Sequence, residues 1–413
     1  MQQCNNLGKS RGQMPILSLF YALILGIFIK EVNSFTPISR NAFSSVLAGD
    51  KLYFFGGNPN SISNQTFCLD VSQSFSSENP PWIETPSAVI PFASVFATVS
   101  FIESSSIIYL FGGFMYDPVT LVDSFQSFVH TFNTQTLKWD IPKTNGQIPT
   151  RRRNIEAVKD NFGKIYIFGA PIARNEYTAT LLSNGVIVYI GGFNSNGKTM
   201  HINEIDLYDT KLDSWKVMVA KNINMIGSRY SHTAVLAPND QIIICGGGFG
   251  PANNQVAPII AILNTQTTPF EWTIPEVSSN IGEIPSLVFH NANLVANYMI
   301  VSFGNITQVD DSPMVRNPKI YLLDIRNYTW INKFDRIEQE SKSNSTQPQT
   351  HSNSPNSPSK DLTSKKVAIS VVSSIVATAF LIGIGALLYR WSKKRKDKTT
   401  LRISGNFGIE NNE

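Results

Sequence analysis

A short run of β-prone apolar residues that ends in glycine recurs six times, and this repeat constrains the fold more than any other feature of the chain. The six runs lie at residues 52–57, 108–113, 165–170, 188–192, 243–247 and 301–305. Self-similarity at a regular period indicates an array of like structural units, each of which must stack on its neighbours to bury an apolar face. The low fraction of charged residues, 15%, agrees with an all-β fold.

Five of the six runs are followed by a second predicted strand, an Asp or Asn turn and a tryptophan. The turn residues are Asp70, Asn133, Asp209, Asn264 and Asp324, and the tryptophans are Trp82, Trp139, Trp215, Trp272 and Trp330. Upstream of four runs lies an arginine, at Arg40, Arg152, Arg174 and Arg229. Glycine lets a chain leave a buried strand at a positive φ, and tryptophan offers a large apolar surface for packing between units. The glycines predicted to be structural are Gly56, Gly57, Gly112, Gly113, Gly169, Gly191, Gly192, Gly246, Gly247 and Gly304.

The order arginine, glycine pair, Asx turn and tryptophan resembles the kelch repeat, and the resemblance covers residues 36–334. It implies an all-β fold, a kelch β-propeller with one four-stranded blade per repeat. We expect this domain to occupy residues 35–336.

One repeat is shorter than the others. Four glycine-to-glycine intervals are 55 to 58 residues long, whereas the interval from Gly169 to Gly191 is 22. The spacing predicts a propeller of six-bladed ancestry whose third blade is truncated to about half, keeping its two inner strands. A skipped exon or faulty gene model and a real shortened blade both remain open. A real deletion predicts lower stability than that of a complete homologue and a protease-sensitive site near Gly169, because it exposes a strand edge.

Segments on both sides of the repeats predict a membrane protein. An apolar run at residues 14–29 after Lys9 and Arg11 predicts a signal peptide at 1–34, with an uncleaved anchor as the alternative. Residues 367–389 carry no charge and are long enough to cross a bilayer, and six cations follow within 390–398. The expected topology is single-pass type I in the plasma membrane, with a disordered Ser/Thr/Asn/Pro-rich stalk at 337–364, a transmembrane helix at 365–390 and a basic cytoplasmic tail at 391–413.

The net charge of +4 lies at the C-terminal end of the chain, since residues 390–413 contain seven cations and three anions, and 7 − 3 = +4. The rest of the chain is therefore neutral and offers no basic face to nucleic acid. The tail is expected to attract anionic lipids. Cys68 and Cys245 lie in predicted strands of separate repeats and are predicted to be buried free thiols. Four sequons mark glycosylation candidates at Asn64, Asn305, Asn327 and Asn344.

The strongest enzymatic alternative is a copper radical oxidase, because the predicted propeller also resembles that of galactose oxidase. That family holds copper with two histidines and two tyrosines, and one ligand tyrosine is followed directly by a ligand histidine. No Tyr-His pair occurs in this sequence. The five histidines are interpreted as structural residues or as part of the stalk, and the arginine cluster at 151–153 as a solvated face. We therefore expect no cofactor, no metal, no catalytic residue and no enzyme activity.

The sequence favours a binding module at the cell surface or on a secretory membrane, with a protein or glycan ligand. Loops between strands carry specificity on such scaffolds, and the long candidates are 58–66, 115–123 and 249–257. An adhesin or lectin-like receptor, a protein-binding receptor and a cryptic oxidase remain the three open classes.

Overall fold

The computed structural model describes residues 35–168, 174–194, 196–222, 226–307 and 314–336. Within these ranges the chain is all β, and its only helical segments are two 3-10 turns at Pro86–Ala88 and Glu103–Ser105. Most strands belong to six antiparallel sheets that follow one another along the chain.

The first two sheets have four strands each. Sheet 1 contains β1 (Ser44–Ala48), β2 (Lys51–Phe55), β3 (Thr66–Asp70) and β5 (Trp82–Glu84), with the short β4 (Phe75–Ser76) beside it. A two-stranded ribbon of β6 (Ala93–Val95) and β9 (Phe114–Tyr116) flanks sheet 2. Sheet 2 contains β7 (Thr98–Ile102), β8 (Ile107–Phe111), β10 (Val129–Asn133) and β11 (Lys138–Asp140).

Sheet 3 has two strands, β12 (Glu156–Lys159) and β13 (Ile165–Phe168), in register from Glu156 opposite Phe168 to Lys159 opposite Ile165. It lies where the sequence predicts a half repeat. Gly169, near which the sequence predicts a protease-sensitive site, lies outside the described residues.

Sheets 4 and 5 return to four strands each. Sheet 4 contains β14 (Thr178–Leu181), β15 (Val186–Ile190), β16 (Glu204–Asp209) and β17 (Ser214–Val219). Sheet 5 contains β18 (Thr233–Leu236), β19 (Gln241–Cys245), β22 (Ile260–Asn264) and β23 (Glu271–Thr273), and carries the ribbon β20 (Gly248–Phe249) with β21 (Asn254–Gln255).

Sheet 6 has five strands. Its order is β24 (Ser278–Ser279), β31 (Thr329–Ile331), β30 (Ile320–Asp324), β27 (Tyr298–Ser302) and β26 (Asn291–Val295), and β24 is parallel to β31. A small sheet of β25 (Leu287–Val288), β28 (Asn305–Ile306) and β29 (Val315–Arg316) lies beside it. The last strand, β32 (Lys333–Phe334), pairs with β4.

The first strands of the six sheets contact one another in the cyclic order β1, β7, β12, β14, β18, β26 and back to β1. Six residues just before these strands have a positive φ of 48° to 59°, and each backbone N–H donates to the carbonyl of the preceding one. The cycle is closed, with N···O distances of 2.9 to 3.3 Å. Its members, called the ring residues below, are Ala42, Phe96, Asn154, Glu176, Ser231 and Phe289.

Sheets 6 and 1 join the two ends of the described chain. Pairing of β32 with β4 is one link. A second link is an aromatic cluster in which Phe303 lies 5.6 Å from Phe43, 5.8 Å from Phe54 and 5.6 Å from Trp82, measured between ring centroids. Apolar burial between consecutive sheets continues around the cycle, and it supplies the main stabilising free energy of such a stack.

The structure contradicts the predicted localisation as a single-pass type I membrane protein. No helix within the described ranges is long and apolar enough to cross a membrane. The predicted signal peptide (1–34), stalk (337–364), transmembrane helix (365–390) and lipid-binding tail (391–413) lie outside those ranges, as does Asn344.

Candidate functional site

The ring residues mark one end of the sheets, called the ring face here. Because neighbouring strands are antiparallel, first strands begin, second strands end and third strands begin at this face. The loops at 58–66, 115–123 and 249–257 connect second to third strands or lie at such a connection. All three predicted specificity loops therefore lie at the ring face, around the central opening.

The glycine pairs build this face. The N–H of the second glycine donates to a carbonyl in the segment that leads into the next sheet, as Gly57 does to Ser94 (2.8 Å) and Gly113 to Arg152 (2.7 Å). A Cβ on the first glycine would lie only 2.3 to 2.5 Å from the same type of carbonyl at Gly56, Gly112, Gly191 and Gly246. The pair is thus needed both for a positive φ and for close approach of two sheets.

The sixth repeat is displaced by one residue from the sequence alignment. Gly304 donates its N–H to the carbonyl of Arg40 and has a φ of 85°, as the second glycine of the other pairs does. The first position is held by Phe303, a non-glycine residue with a φ of 53°. Its ring packs in the cluster between sheets 6 and 1, so an aromatic contact accompanies the strained backbone at the point where the ring closes.

Two repeat arginines are buried completely and brace the chain beneath this face. Arg40 donates to the carbonyls of Ile38 and Gly56 and to the Gln65 side chain. Arg229 makes the equivalent bonds to the carbonyls of Gly227, Gly246 and Ala257. Burial lowers the pKa of Arg40 to about 10 and that of Arg229 likewise to about 10. Since each guanidinium serves backbone carbonyls, these arginines are structural.

Three polar ring residues are bonded to one another. Asn154 Nδ2 donates to Glu176 Oε1 at 3.1 Å, and the Ser231 hydroxyl donates to Glu176 Oε2. Burial raises the pKa of Glu176 despite the bond from Ser231 and the nearby charge of Arg153. Sequence reasoning missed these residues because their side chains differ in every repeat. The available signal was positional: four ring residues lie two positions after Arg40, Arg152, Arg174 and Arg229.

Beneath the ring lies a small cavity of about 100 Å³. Glu156 at the start of β12 lines it together with His232 and His290. Burial raises the pKa of Glu156 to about 7. The cavity has room for a few water molecules or one small polar group.

The histidines at this level bridge neighbouring sheets. His232 Nε2 is 3.1 Å from Thr178 Oγ1, and His290 Nε2 is 2.9 Å from Thr233 Oγ1. Burial is the largest cause that lowers the pKa of His232, and it lowers that of His290 to about 3. His130, packed on Phe92, has its pKa lowered by burial to about 4. All three rings are therefore neutral at physiological pH.

The loop after β9 is closed by hydrogen bonds to one aspartate. Asp117 Oδ1 accepts the backbone N–H groups of Val119 (3.0 Å) and Thr120 (2.7 Å), and its backbone N–H donates to Val122 (2.8 Å). The apolar residues at the tip of this loop are exposed to solvent. Val119 is 88% exposed, Val122 64% and Leu121 48%.

Arginines fix the base of this loop. Arg151 makes a two-pronged contact with the Asp123 carboxylate, which holds the pKa of Asp123 at about 2. Its guanidinium carbon lies 4.5 Å from the Phe125 ring centroid, and that of Arg153 lies 4.8 Å from the Phe114 ring centroid. The sequence predicts that the arginine cluster at 151–153 is a solvated face. In the structure Arg151 and Arg153 contact residues at the base of the loop, although Arg153 is still exposed. We call this site the tip surface. It consists of the apolar tip residues Val119, Leu121 and Val122 and of the base residues Arg151, Arg153, Asp123, Phe114 and Phe125.

The remaining sites can be placed singly. Asn64 is half-buried and donates to the Ile90 carbonyl, Asn305 is buried, and Asn327 is exposed. Within the described residues no cluster of three or more His, Cys, Asp or Glu side chains is placed to hold a metal ion. Cys68 and Cys245 are buried free thiols, as predicted. The five repeat tryptophans lie in the outer strands β5, β11, β17, β23 and β31.

Residues 42–182 match the family model described as the KLHDC2/KLHL20/DRC7 kelch-repeats domain. The matched segment begins at the first ring residue and runs through sheets 1 to 3 into sheet 4. Over this segment the chain is similar to kelch-repeat domains.

Two curated mammalian proteins are similar to part of the chain. Kelch domain-containing protein 3 from Rattus norvegicus and its counterpart from Mus musculus are each 26% identical over 213 residues. That match spans 51% of this chain and 48% of each relative, so the chain covers about half the length of the relatives it matches. A solved structure described as "Structure of YjhT" aligns with 72% of this chain and 98% of that chain, at 13% identity and a TM-score of 0.49.

Proposed function

We propose that this protein is a six-bladed kelch propeller with a shortened third blade and that it acts as a protein-interaction module without catalysis. The observation that carries the proposal is the tip surface, an exposed apolar loop tip on a bonded arginine base. The closed cycle of six ring residues supports the six-bladed assignment.

An exposed apolar tip costs free energy in an isolated protein, and such patches mark interaction sites. Val119, Leu121 and Val122 belong to one short loop that the Asp117 bonds close on itself. Since those bonds already order the backbone, a partner meets a loop whose conformational entropy is largely spent before binding. Arginine is enriched among the residues that dominate binding energy, and Arg153 lies beside the tip, over Phe114.

The chemistry of the central opening supports a non-catalytic role. His232 and His290 are buried, neutral and bonded to threonines of the neighbouring sheet. Glu176 has both carboxylate oxygens bonded by ring residues. A general acid or base must reach the proton that it transfers, and these groups are committed to contacts between sheets.

The proposal is tested by placing a photo-crosslinking amino acid in the full chain, in cells that express it. The probe at Val119 is expected to yield a discrete cross-linked protein. The matched position is Phe162, which is 97% exposed in the turn between β12 and β13, at the opposite end of the sheets. A double variant Val119→Asp and Val122→Asp should lose the partner, whereas Phe162→Asp should retain it.

Equal cross-linking at both positions would show that the ring face is not the binding face. Saturable binding of the purified chain to a glycan, with no protein partner at Val119, would overturn the partner class. In each case circular dichroism of the variants must match that of the parent chain.

A further inference from the structure

Sheet 3 leaves a cleft in the ring. Among the described residues β13 pairs only with β12, whereas the second strand of every other sheet pairs with a third strand. Sheets 2 and 4 flank sheet 3 on either side. The outer half of the space between those two sheets therefore lacks the third and fourth strands that fill it elsewhere.

The wall that sheet 4 presents to this cleft is apolar and exposed. Alternate residues of β17 face the same side, and three of them, Trp215, Val217 and Val219, are 42%, 66% and 59% exposed. The equivalent Trp272 and Trp330 are 1% and 3% exposed, because each has a complete preceding sheet to pack against. The exposure of Trp215 thus follows from the missing strands.

The floor of the cleft is the open edge of β13. In sheet 4 the Gly185 carbonyl accepts the Thr210 N–H (3.1 Å), so alternate residues of β15 point their main-chain groups toward the third strand. By the same alternation, Ile165 and Ile167 of β13 present N–H and C=O groups to the cleft. Phe168, at the end of this floor, packs 5.1 Å from Trp215 between ring centroids.

The edge lacks the protection that exposed strand edges normally carry, such as charge or proline. Outer strands of four sheets contain charged residues, at Glu84, Lys138, Lys216 and Glu271. The fifth, β31, has the uncharged sequence Thr329–Ile331 and is covered by β24. By contrast β13, Ile165–Phe168, is uncharged and has no second neighbour among the described residues.

We propose that this cleft binds an extended segment of a partner polypeptide, which adds to β13 as the third strand of sheet 3. Main-chain bonds to Ile165 and Ile167 supply affinity in this mode, and pockets for alternate side chains supply specificity. The segment must place apolar residues at every second position, facing Trp215 and Val217. A third strand of another sheet illustrates the fit, since Ile205 and Leu207 of β16 are buried against sheet 5.

The probe for this site is a synthetic peptide of residues 202–219, the third and fourth strands of sheet 4. Calorimetry with the full chain should show saturable binding. Hydrogen exchange of the amides in Ile165–Phe168 should slow when the peptide is bound, because the open edge becomes paired. A peptide with Ile205→Asp and Leu207→Asp should not bind.

Val217→Asp in the chain should weaken peptide binding by about tenfold, since it replaces an exposed apolar contact by a charge in the wall. Val119→Asp, at the tip surface, is the matched control and should bind the peptide as the parent does. The peptide experiment therefore tests strand addition to β13 independently of the proposed partner binding at the tip surface. No binding by a folded chain, or binding that leaves exchange of β13 unchanged, overturns the strand-addition proposal.

Discussion

Replacement of Glu156 by glutamine tests whether burial beneath the ring raises the pKa of this carboxyl. This side chain lies at the start of β12 and lines the cavity. Burial raises the pKa of its carboxyl to about 7 from an ordinary value of 4.5. The folded state therefore binds more protons than the unfolded state between these two values, and the free energy of unfolding must fall as pH rises through this window.

The magnitude follows from the two pKa values. A carboxyl that titrates at about 7 when folded and at 4.5 when unfolded destabilises the ionised folded state by about 3 kcal/mol at pH 8. Because Glu156 retains some exposure, this figure is an upper bound. Glutamine keeps the shape and cannot ionise, so Glu156→Gln should gain stability over the parent chain at pH 8 but not at pH 4.5.

Urea unfolding of the parent and of Glu156→Gln, at both pH values, measures the difference. Buried histidines oppose the trend: burial lowers the pKa of His130 and His290, so their contribution to stability rises with pH up to about 6.5. This contribution is common to both proteins and cancels in the comparison. Glu283→Gln, which removes an exposed carboxylate, controls for net charge. An equal parent-to-variant difference at pH 4.5 and pH 8 would refute the raised pKa of Glu156.

Three further predictions concern packing. Gly246→Ala should destabilise the fold by more than about 1 kcal/mol in urea unfolding, because its Cβ would lie 2.4 Å from the Leu287 carbonyl oxygen at a positive φ; an unchanged midpoint would contradict this. Trp272→Ala should cost about 3–5 kcal/mol, whereas Trp215→Ala should cost clearly less, since 42% of Trp215 is exposed; equal losses would mean that the cleft is filled. Burial raises the pKa of the Cys245 thiol to about 12, so it should resist alkylation at pH 8 until the chain is unfolded, and labelling of the native chain would argue against this.

The sequence predicts the sheets of this protein well because its signals are local and recurrent. Each Asx residue that follows a third strand accepts a backbone N–H two residues on, as Asp70 does from Ser72 and Asn264 from Gln266. These turns depend on one side chain and its own backbone. They can therefore be recognised without knowledge of any distant contact.

The candidate sites resist prediction for a different reason. The ring residues share a positive φ and a backbone hydrogen bond to the preceding ring residue. Neither feature requires a particular side chain, so the ring residues have no common sequence signature. The loop that contains Val119 occurs in the second repeat alone. Comparison of the repeats therefore cannot mark Val119 as a functional residue. The displaced register at Phe303 shows the same limit, since a glycine pattern cannot find a position where an aromatic residue takes the glycine conformation.

The short third repeat links stability to binding in this protein. Each repeat tryptophan packs toward the preceding sheet, so the two-stranded form of sheet 3 affects Trp215 in sheet 4 and not sheet 3 alone. Among the described residues, the two-stranded sheet 3 thus has an open strand edge beside an exposed aromatic wall. Any segment that pairs with β13 must also cover Trp215, because the wall and the edge belong to the same missing strands. Occupancy of the cleft therefore stabilises the fold by linkage, as does any ligand that binds only the folded state, and it also pairs the open edge of β13.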